Sequence, residues 1–328
     1  MIGTFEYRRA GDVASAVALV SADPRAQYLA GGTSQVDLIV KDGVLDPKTL
    51  VDITRLPLRG VTRRDNALVV GSLTTMEELA AEPMLAERAA FVRAALLAGA
   101  STQLRNMATI GGNVLQRTRC RYFRDPTVSA CNKRAPGSGC AAVTGPARMH
   151  AILGATENCI AVHASDLCVP LIALDALVHT QGVAGERSIP LTKLYRAPGD
   201  RPDIENVLAH GELITSIEIP LLPVGARSAY LKVRDRASYE FALTSAAAAL
   251  TIERGVVTEA RLALGGVGTV PWRAYGAEET LVGAHPNTAR FREAAEAAVV
   301  DPFTVPGTAF KVELAKRTIV RALEMVAG

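Results

Sequence analysis

The spacing of apolar and polar positions changes period several times along the chain. After a short extended stretch at "FEYRR", the segment "DVASAVALV" alternates with helical period, which predicts a strand followed by an amphipathic helix. "AQYLAGGTSQVDLIV" predicts a strand, a double-glycine turn and a helix start. "LVDITRL" and "ALVVGSLTT" read as strands, and "TMEELAAEP" and "ERAAFVRAALLAGA" as helices. Apolar, regular sequence resumes between Ser165 and Val178, after a long irregular stretch. "SAAAALTIERGVVTEARLALGG" reads as a hairpin turning at Arg254-Gly255. The last segment, "TAFKVELAKRTIVRALEMV", puts Val312, Ala315, Ile319, Ala322, Leu323 and Val326 on one helical face. Lys311, Glu313, Arg317, Arg321 and Glu324 fall mostly on the others, the pattern of a helix packed on a core. Pro220, Pro223 and Gly225 punctuate "IEIPLLPVGARSAY", and mark a domain boundary there. The pattern is α+β in two parts, 1–222 and 223–328.

Composition narrows the function classes. A chain of 328 residues is long enough for two domains. Its net charge of +3 gives no support to nucleic-acid binding, which needs a strong basic excess on one face. No run of about eighteen or more apolar residues occurs, so membrane insertion is not expected. Arg8-Arg9 invites a twin-arginine export reading. Gly11-Asp12 interrupts it, the apolar stretch that follows is short, and no small-residue cleavage site comes after. The chain is expected to carry no export signal of its own.

Two double glycines stand beside polar residues. Gly31-Gly32 is followed by Thr33 and Ser34, and Gly111-Gly112 lies between Thr109 and Asn113. Without side chains, such turns let backbone N–H groups approach an anion, and hydroxyls add donors. A tight turn alone would explain either one. Neither matches the dinucleotide fingerprint or a P-loop. Together they point to a phosphorylated cofactor. Ser165-Asp166 could cap the apolar helix that follows, and His163 reads as a neutral structural histidine.

Five cysteines is an odd number in a chain large enough to need no disulfide framework. Cys120, Cys131 and Cys140 lie on a Gly/Pro-punctuated segment, with Cys159 after it. No close C-x(2–4)-C pair of structural zinc occurs, and no ferredoxin spacing, so spacing does not identify the metal. The surroundings say more. Arg117, Arg119, Arg121, Arg124, Lys133 and Arg134 crowd the segment, with Asp125 as the one acid among them. Cations so placed would stabilise a negatively charged four-thiolate iron–sulfur site. A solvated basic loop with free thiols is the plainer alternative. Cys168 sits in the apolar run "DLCVPLIALDALV" and reads as a buried small hydrophobe, leaving Cys120, Cys131, Cys140 and Cys159 as ligand candidates.

Taken together, "AGGTSQVDL", "QLRNMATIGGNVLQRTRCRYF", "CNKRAPGSGC", "CIAVHASD", "GELITSIEIP" and "YLKVRDRASYEFAL" resemble the flavin-binding medium subunit of molybdenum hydroxylases of the xanthine dehydrogenase family. The likeness is greatest to the FAD subunit of bacterial periplasmic-type aldehyde oxidoreductases. It covers nearly the whole chain in motif order. It implies a two-subdomain FAD-binding fold of the vanillyl-alcohol-oxidase type, then a C-terminal α+β domain of the CO dehydrogenase flavoprotein type. By the same resemblance, FAD would be held by Leu29, Ala30, Gly31, Gly32, Thr33, Ser34 and Gln35. Ala108, Thr109, Gly111, Gly112 and Asn113 would contribute from the second loop, and Ser165, Asp166, Ile214 and Lys232 from later segments. The aldehyde-oxidoreductase branch carries a [4Fe–4S] cluster on an inserted loop, matched here by about 117–160. Its four cysteines fall on Cys120, Cys131, Cys140 and Cys159. Ala164 stands where the family usually has proline between the His and Ser of "HPSD", which loosens the turn but leaves the Ser-Asp pair.

The resemblance implies an electron-transfer subunit that is inactive alone. It would partner a large molybdopterin-binding subunit, a small [2Fe–2S] subunit and an external electron acceptor. Its place would be the periplasm, by co-export with a signal-bearing partner, or the cytoplasm. The flavin/[4Fe–4S] subunit of a 4-hydroxybenzoyl-CoA reductase is the alternative within the fold. A self-sufficient flavin oxidase lacks a substrate domain here, and a metal-bearing regulator lacks a DNA-binding motif. No catalytic residue is expected on this chain.

Overall fold

The structure, a computed structural model, describes residues 4–328. Met1–Gly3, the start of the export-signal reading, lie outside them. The described chain forms three sheets. β1 (Glu6–Arg9), β2 (Ala26–Leu29) and β3 (Thr49–Asp52) make a small parallel sheet in the order β1-β3-β2. The helix Val13–Ser21 crosses over between its first two strands. Asp12 starts that helix by accepting from the Ser15 backbone N–H at 2.7 Å, and Ala16, Val17 and Val20 form its buried face. β4 (Val61–Arg64), β5 (Ala67–Gly71), β6 (Leu177–Gly182), β7 (Gly185–Pro190) and β8 (Leu213–Pro220) form an antiparallel sheet in the order β4-β5-β8-β6-β7. More than a hundred residues separate β5 from β6 in sequence, and they carry the second glycine loop and all five cysteines.

The third sheet is antiparallel, β12-β11-β10-β9, built from β9 (Arg227–Val233), β10 (Thr244–Glu253), β11 (Val256–Gly265) and β12 (Trp272–Arg273). The expected hairpin is present. Arg254 and Gly255 both take positive φ, 51° and 80°, as a tight two-residue connection requires. β10 shows why this sheet can be covered on both sides. Ala246, Ala248 and Leu250 face the helices Thr288–Ala298 and Phe310–Ala327, while Ala247 and Ala249 join the central core with Phe91, Val92 and Leu167. Successive strand residues point to opposite faces, and alanine lets a helix approach either one. The run that looks merely Ala-rich in sequence is therefore buried twice over.

Three sequence expectations need correction. The helix start after Gly31-Gly32 is a five-residue π turn, Asp37–Lys41, with no side-chain cap. The first glycine loop thus lacks the helix N-terminal potential expected of it. The single helix read in "ERAAFVRAALLAGA" is two, Pro83–Arg88 and Ala90–Ala98, broken at Ala89. In the last helix Ala315, Ile319, Ala322, Leu323 and Val326 are buried as expected, but so is Lys311, which is 0% exposed. Its position one turn before Ala315 places it over the core edge, and two carbonyls receive its ammonium. Among the described residues no helix is long and apolar enough to cross a membrane.

Candidate cofactor and cluster site

A cavity of about 1310 Å³ opens where the three sheets meet. Its wall includes Ala30 to Gln35 of the first glycine loop and Ala108, Thr109, Gly111, Gly112 and Asn113 of the second. Ser165, Asp166, Ile214 and Lys232 also face it, as does Cys120. Leu29 is the one expected cofactor residue that does not line it. That residue ends β2, and its Cδ1 lies 3.4 Å from where a Cβ on Gly32 would stand.

The glycines have a steric cause. A Cβ on Gly31 would lie 1.9 Å from the Met107 carbonyl oxygen, and one on Gly111 would lie 2.9 Å from the Ser72 Cβ. Gly32 takes φ +70°, which side chains disfavour. The two loops therefore touch backbone to backbone. The second is fixed further by Thr109, whose hydroxyl accepts from the Gly112 N–H at 3.2 Å and starts the short helix Ile110–Val114. This is a cradle of bare backbone facing a large cavity, and it fits an extended phosphate-bearing cofactor.

The later residues interlock. The Ser165 hydroxyl donates to Asn113 Oδ1 at 2.5 Å and accepts from the Cys168 N–H at 3.1 Å. Ser165 thus receives the first N–H of the following helix, Cys168–Ala173, from two residues before its N-cap, Leu167, which has no side-chain cap of its own. Asp166 accepts from the Tyr230 hydroxyl at 2.6 Å and from Lys232 Nζ at 2.8 Å. Both donors lie on β9, so one buried carboxylate ties the segment before that helix to the third sheet. Lys232 also donates to the Ala98 carbonyl at 3.1 Å. Burial brings the His163 imidazole down to about 4, so the ring is neutral near pH 7, as the sequence reading holds.

The cysteine segment is folded over one side of the cavity. Cys131 and Cys140 pair across an isolated antiparallel bridge, and Cys159 closes a second bridge with Thr156. Cys120 precedes the helical turn Arg121–Arg124. Cys131 packs with Leu38 and Phe123, and Cys140 lies against Ala142, Ala147 and Ile160. Cys120 lies within electrostatic reach of Cys159 and Cys131, and Cys159 within that of Cys140 and Cys131. Burial pushes the Cys120 thiol up to about 12 and raises that of Cys159. Thiols raised by burial ionise readily only beside a compensating positive charge such as a bound metal. Among the described residues, no group of His, Cys, Asp or Glu side chains is arranged to hold a metal ion. Cys168 stands apart, fully buried, with its sulfur 3.1 Å from the Tyr195 hydroxyl.

The cations are not left facing Asp125 alone. Arg117 and Lys133 share Glu205, at 2.5 and 3.0 Å, and Arg124 pairs with Asp42 at 2.5 Å. Arg134 donates to the carbonyls of Tyr122, Phe123, Asp125 and Val128, closing the helical turn. Asp125 itself accepts from Thr127. The acids come from distant sequence, which no reading of the loop could supply. The sequence reading also missed His150, Phe241 and Gly266 on the cavity wall. His150 Nε2 lies 3.2 Å from Cys120 Sγ, and nothing in its local sequence signals it.

Known proteins match this arrangement. Residues 3–222 match the family model "FAD binding domain in molybdopterin dehydrogenase", and residues 229–326 match "CO dehydrogenase flavoprotein C-terminal domain". The chain is 43% identical to the aldehyde oxidoreductase FAD-binding subunit PaoB of Escherichia coli, over 97% of each chain. It is 27% identical to the carbon monoxide dehydrogenase medium chain of Afipia carboxidovorans, over 86% of this chain and 81% of that one. A solved Cu,Mo-CO dehydrogenase in its cyanide-inactivated form superposes with a TM-score of 0.78 at 26% identity, covering 100% of this chain and 99% of that one. The fold is therefore the FAD-binding fold of the vanillyl-alcohol-oxidase type followed by the CO dehydrogenase flavoprotein C-terminal fold. The chain belongs to the FAD-binding medium subunits of the xanthine dehydrogenase family of molybdenum hydroxylases, and is an oxidoreductase subunit.

Proposed function

We propose that this chain is the electron-transfer subunit of a heterotrimeric molybdenum aldehyde oxidoreductase, binding FAD and one [4Fe–4S] cluster. The observation that carries the reading is the convergence on one cavity of both glycine loops, the Asp166–Lys232 pair and Cys120. The aldehyde assignment draws on the 43% identity to an aldehyde oxidoreductase subunit. In this reading 1–222 is the FAD-binding domain, 117–160 its cluster-bearing insertion, and 223–328 a C-terminal domain. The bare backbone of Gly31, Gly32, Gly111 and Gly112 receives the cofactor phosphates. Ser165, Asp166, Ile214 and Lys232 position the rest of the dinucleotide. Cys120, Cys131, Cys140 and Cys159 ligate the iron.

When bound, FAD would take electrons one at a time and hold two, which suits a junction between one-electron carriers and an outside acceptor. The protein's part is to hold both groups on one rigid wall and shield them from water. Aldehyde oxidation belongs to a partner carrying molybdopterin, with a small [2Fe–2S] subunit between. The test is a complex co-expressed with those subunits and then stripped of flavin. Aldehyde should still reduce the molybdenum and [2Fe–2S] centres in rapid mixing, while delivery to the acceptor stops. Undiminished turnover with that acceptor would place the electron exit elsewhere.

A further inference from the structure

Lys311 is the second residue of the helix Phe310–Ala327, and its side chain is fully buried. Its Nζ donates to the carbonyl oxygens of His150, at 2.8 Å, and Gly266, at 2.7 Å. Neither partner carries a charge. Among the described residues no carboxylate lies within ion-pair distance of it, and the nearest charge acting on it is the like charge of Arg148. A buried ammonium without a counter-charge is costly, and burial brings this one down to about 7. Either the amine is neutral in the working protein or a negative charge compensates it.

The two carbonyls show where such a charge would lie. Gly266 is on the wall of the large cavity. His150 puts its ring nitrogen Nε2 3.2 Å from Cys120 Sγ, so a single residue links Lys311 to the first cysteine of the iron site. Most of the loop cations have close acceptors of their own: Lys133 and Arg117 have Glu205, Arg124 has Asp42, and Arg134 has four carbonyls, while Arg119 reaches Asp37 only at 4.0 Å. Lys311 has none. Four cysteinates around a [4Fe–4S] core carry net negative charge, and gain one more unit on reduction. In a medium of low dielectric that charge acts over several ångströms.

We propose that Lys311 is the buried counter-cation of the cluster, a positioning residue that holds the His150–Cys120 contact and favours the reduced cluster. This rests on the cluster reading above, so the experiment reads the two separately. Wild-type protein, Lys311→Met and Lys311→Gln are purified anaerobically. Iron and flavin are counted first, and cluster and flavin potentials are then measured by spectroscopic titration. Wild type without about four irons per chain would sink the cluster reading itself. Given a loaded wild type, both variants should keep flavin, and the cluster potential should fall in both by more than the flavin potential. Loss of iron alone from both, with flavin retained, gives the same assignment, because glutamine keeps a donor but not the charge. A fully loaded variant with an unchanged cluster potential overturns it. So does joint loss of iron, flavin and fold, which would make Lys311 a general structural clamp.

Discussion

The Met107 carbonyl oxygen occupies the space that a side chain on Gly31 would need: a Cβ there would lie 1.9 Å from it. Backbone cannot yield as a flexible side chain can, so the two glycine loops hold their distance only while Gly31 lacks a Cβ. Gly31→Ala should cost roughly 1–3 kcal/mol or more of stability and release flavin during gel filtration. Gly11→Ala is the control, because nothing lies within 4 Å of its Cβ position. It should bind flavin normally and melt within a degree or two of wild type. Equal flavin retention in both variants would disconnect the loop contact from cofactor binding.

Asp166 is held by Lys232 and Tyr230 with little access to water. Removing one partner leaves a buried carboxylate undercompensated. Lys232→Met should cost about 3–5 kcal/mol in denaturant unfolding. Tyr230→Phe removes a neutral donor and should cost about 1–3 kcal/mol. A Lys232→Met protein as stable as wild type would mean the pair is not compensating a buried charge.

How much of this was legible in sequence differs by residue type. Gly31 and Gly111 could be found because a place without room for a Cβ has to be written as glycine. Ser165 could be read as holding the start of the next helix because its hydroxyl acts three residues away, on Cys168. The thiols stood out because cysteine is rare, and Cys168 was separable by its apolar neighbours. Glu205 and Asp42 were invisible as partners of the loop cations, since they are brought in by the fold from 88 and 82 residues away. Lys311 was misplaced for the opposite reason. Helical periodicity assigns a lysine to the solvent face, and only tertiary contact shows two carbonyls waiting for it.

The cysteines should divide four to one. Cys120→Ser, Cys131→Ser, Cys140→Ser and Cys159→Ser should each lose iron in anaerobic preparations. Cys168→Ser should keep it and lose only about 1 kcal/mol, because a serine hydroxyl can take over the contact with Tyr195. Iron analysis beside thermal unfolding checks both halves. Loss of iron from Cys168→Ser with retention in Cys159→Ser would reverse the ligand assignment.

His163 sets a pH dependence whose sign follows from burial. Its folded-state pKa is about 4, while an unfolded histidine titrates near 6.5. Between these values the unfolded chain binds the extra proton, so stability falls as pH drops from about 6.5 to 4 and is unaffected above that window. The full loss attributable to this residue is up to about 3 kcal/mol. Urea unfolding of wild type and His163→Gln at pH 7 and pH 5 isolates it: the variant should lose less stability between the two. Parallel losses in both proteins would show that the ring is not held neutral.

The central claim is that one folded chain holds FAD and a four-iron cluster on the same wall. The most direct measurement is the cofactor content of the protein purified without oxygen: flavin released by acid, iron by chelation, and the spectrum of the intact protein before and after dithionite. The expected result is one non-covalent FAD and about four iron atoms per chain, with a broad iron–sulfur absorption that bleaches on reduction. A well-folded chain that carries flavin but zinc or no metal, when purified anaerobically from iron-replete cells, would contradict the cluster. One that carries neither flavin nor iron would contradict the account as a whole.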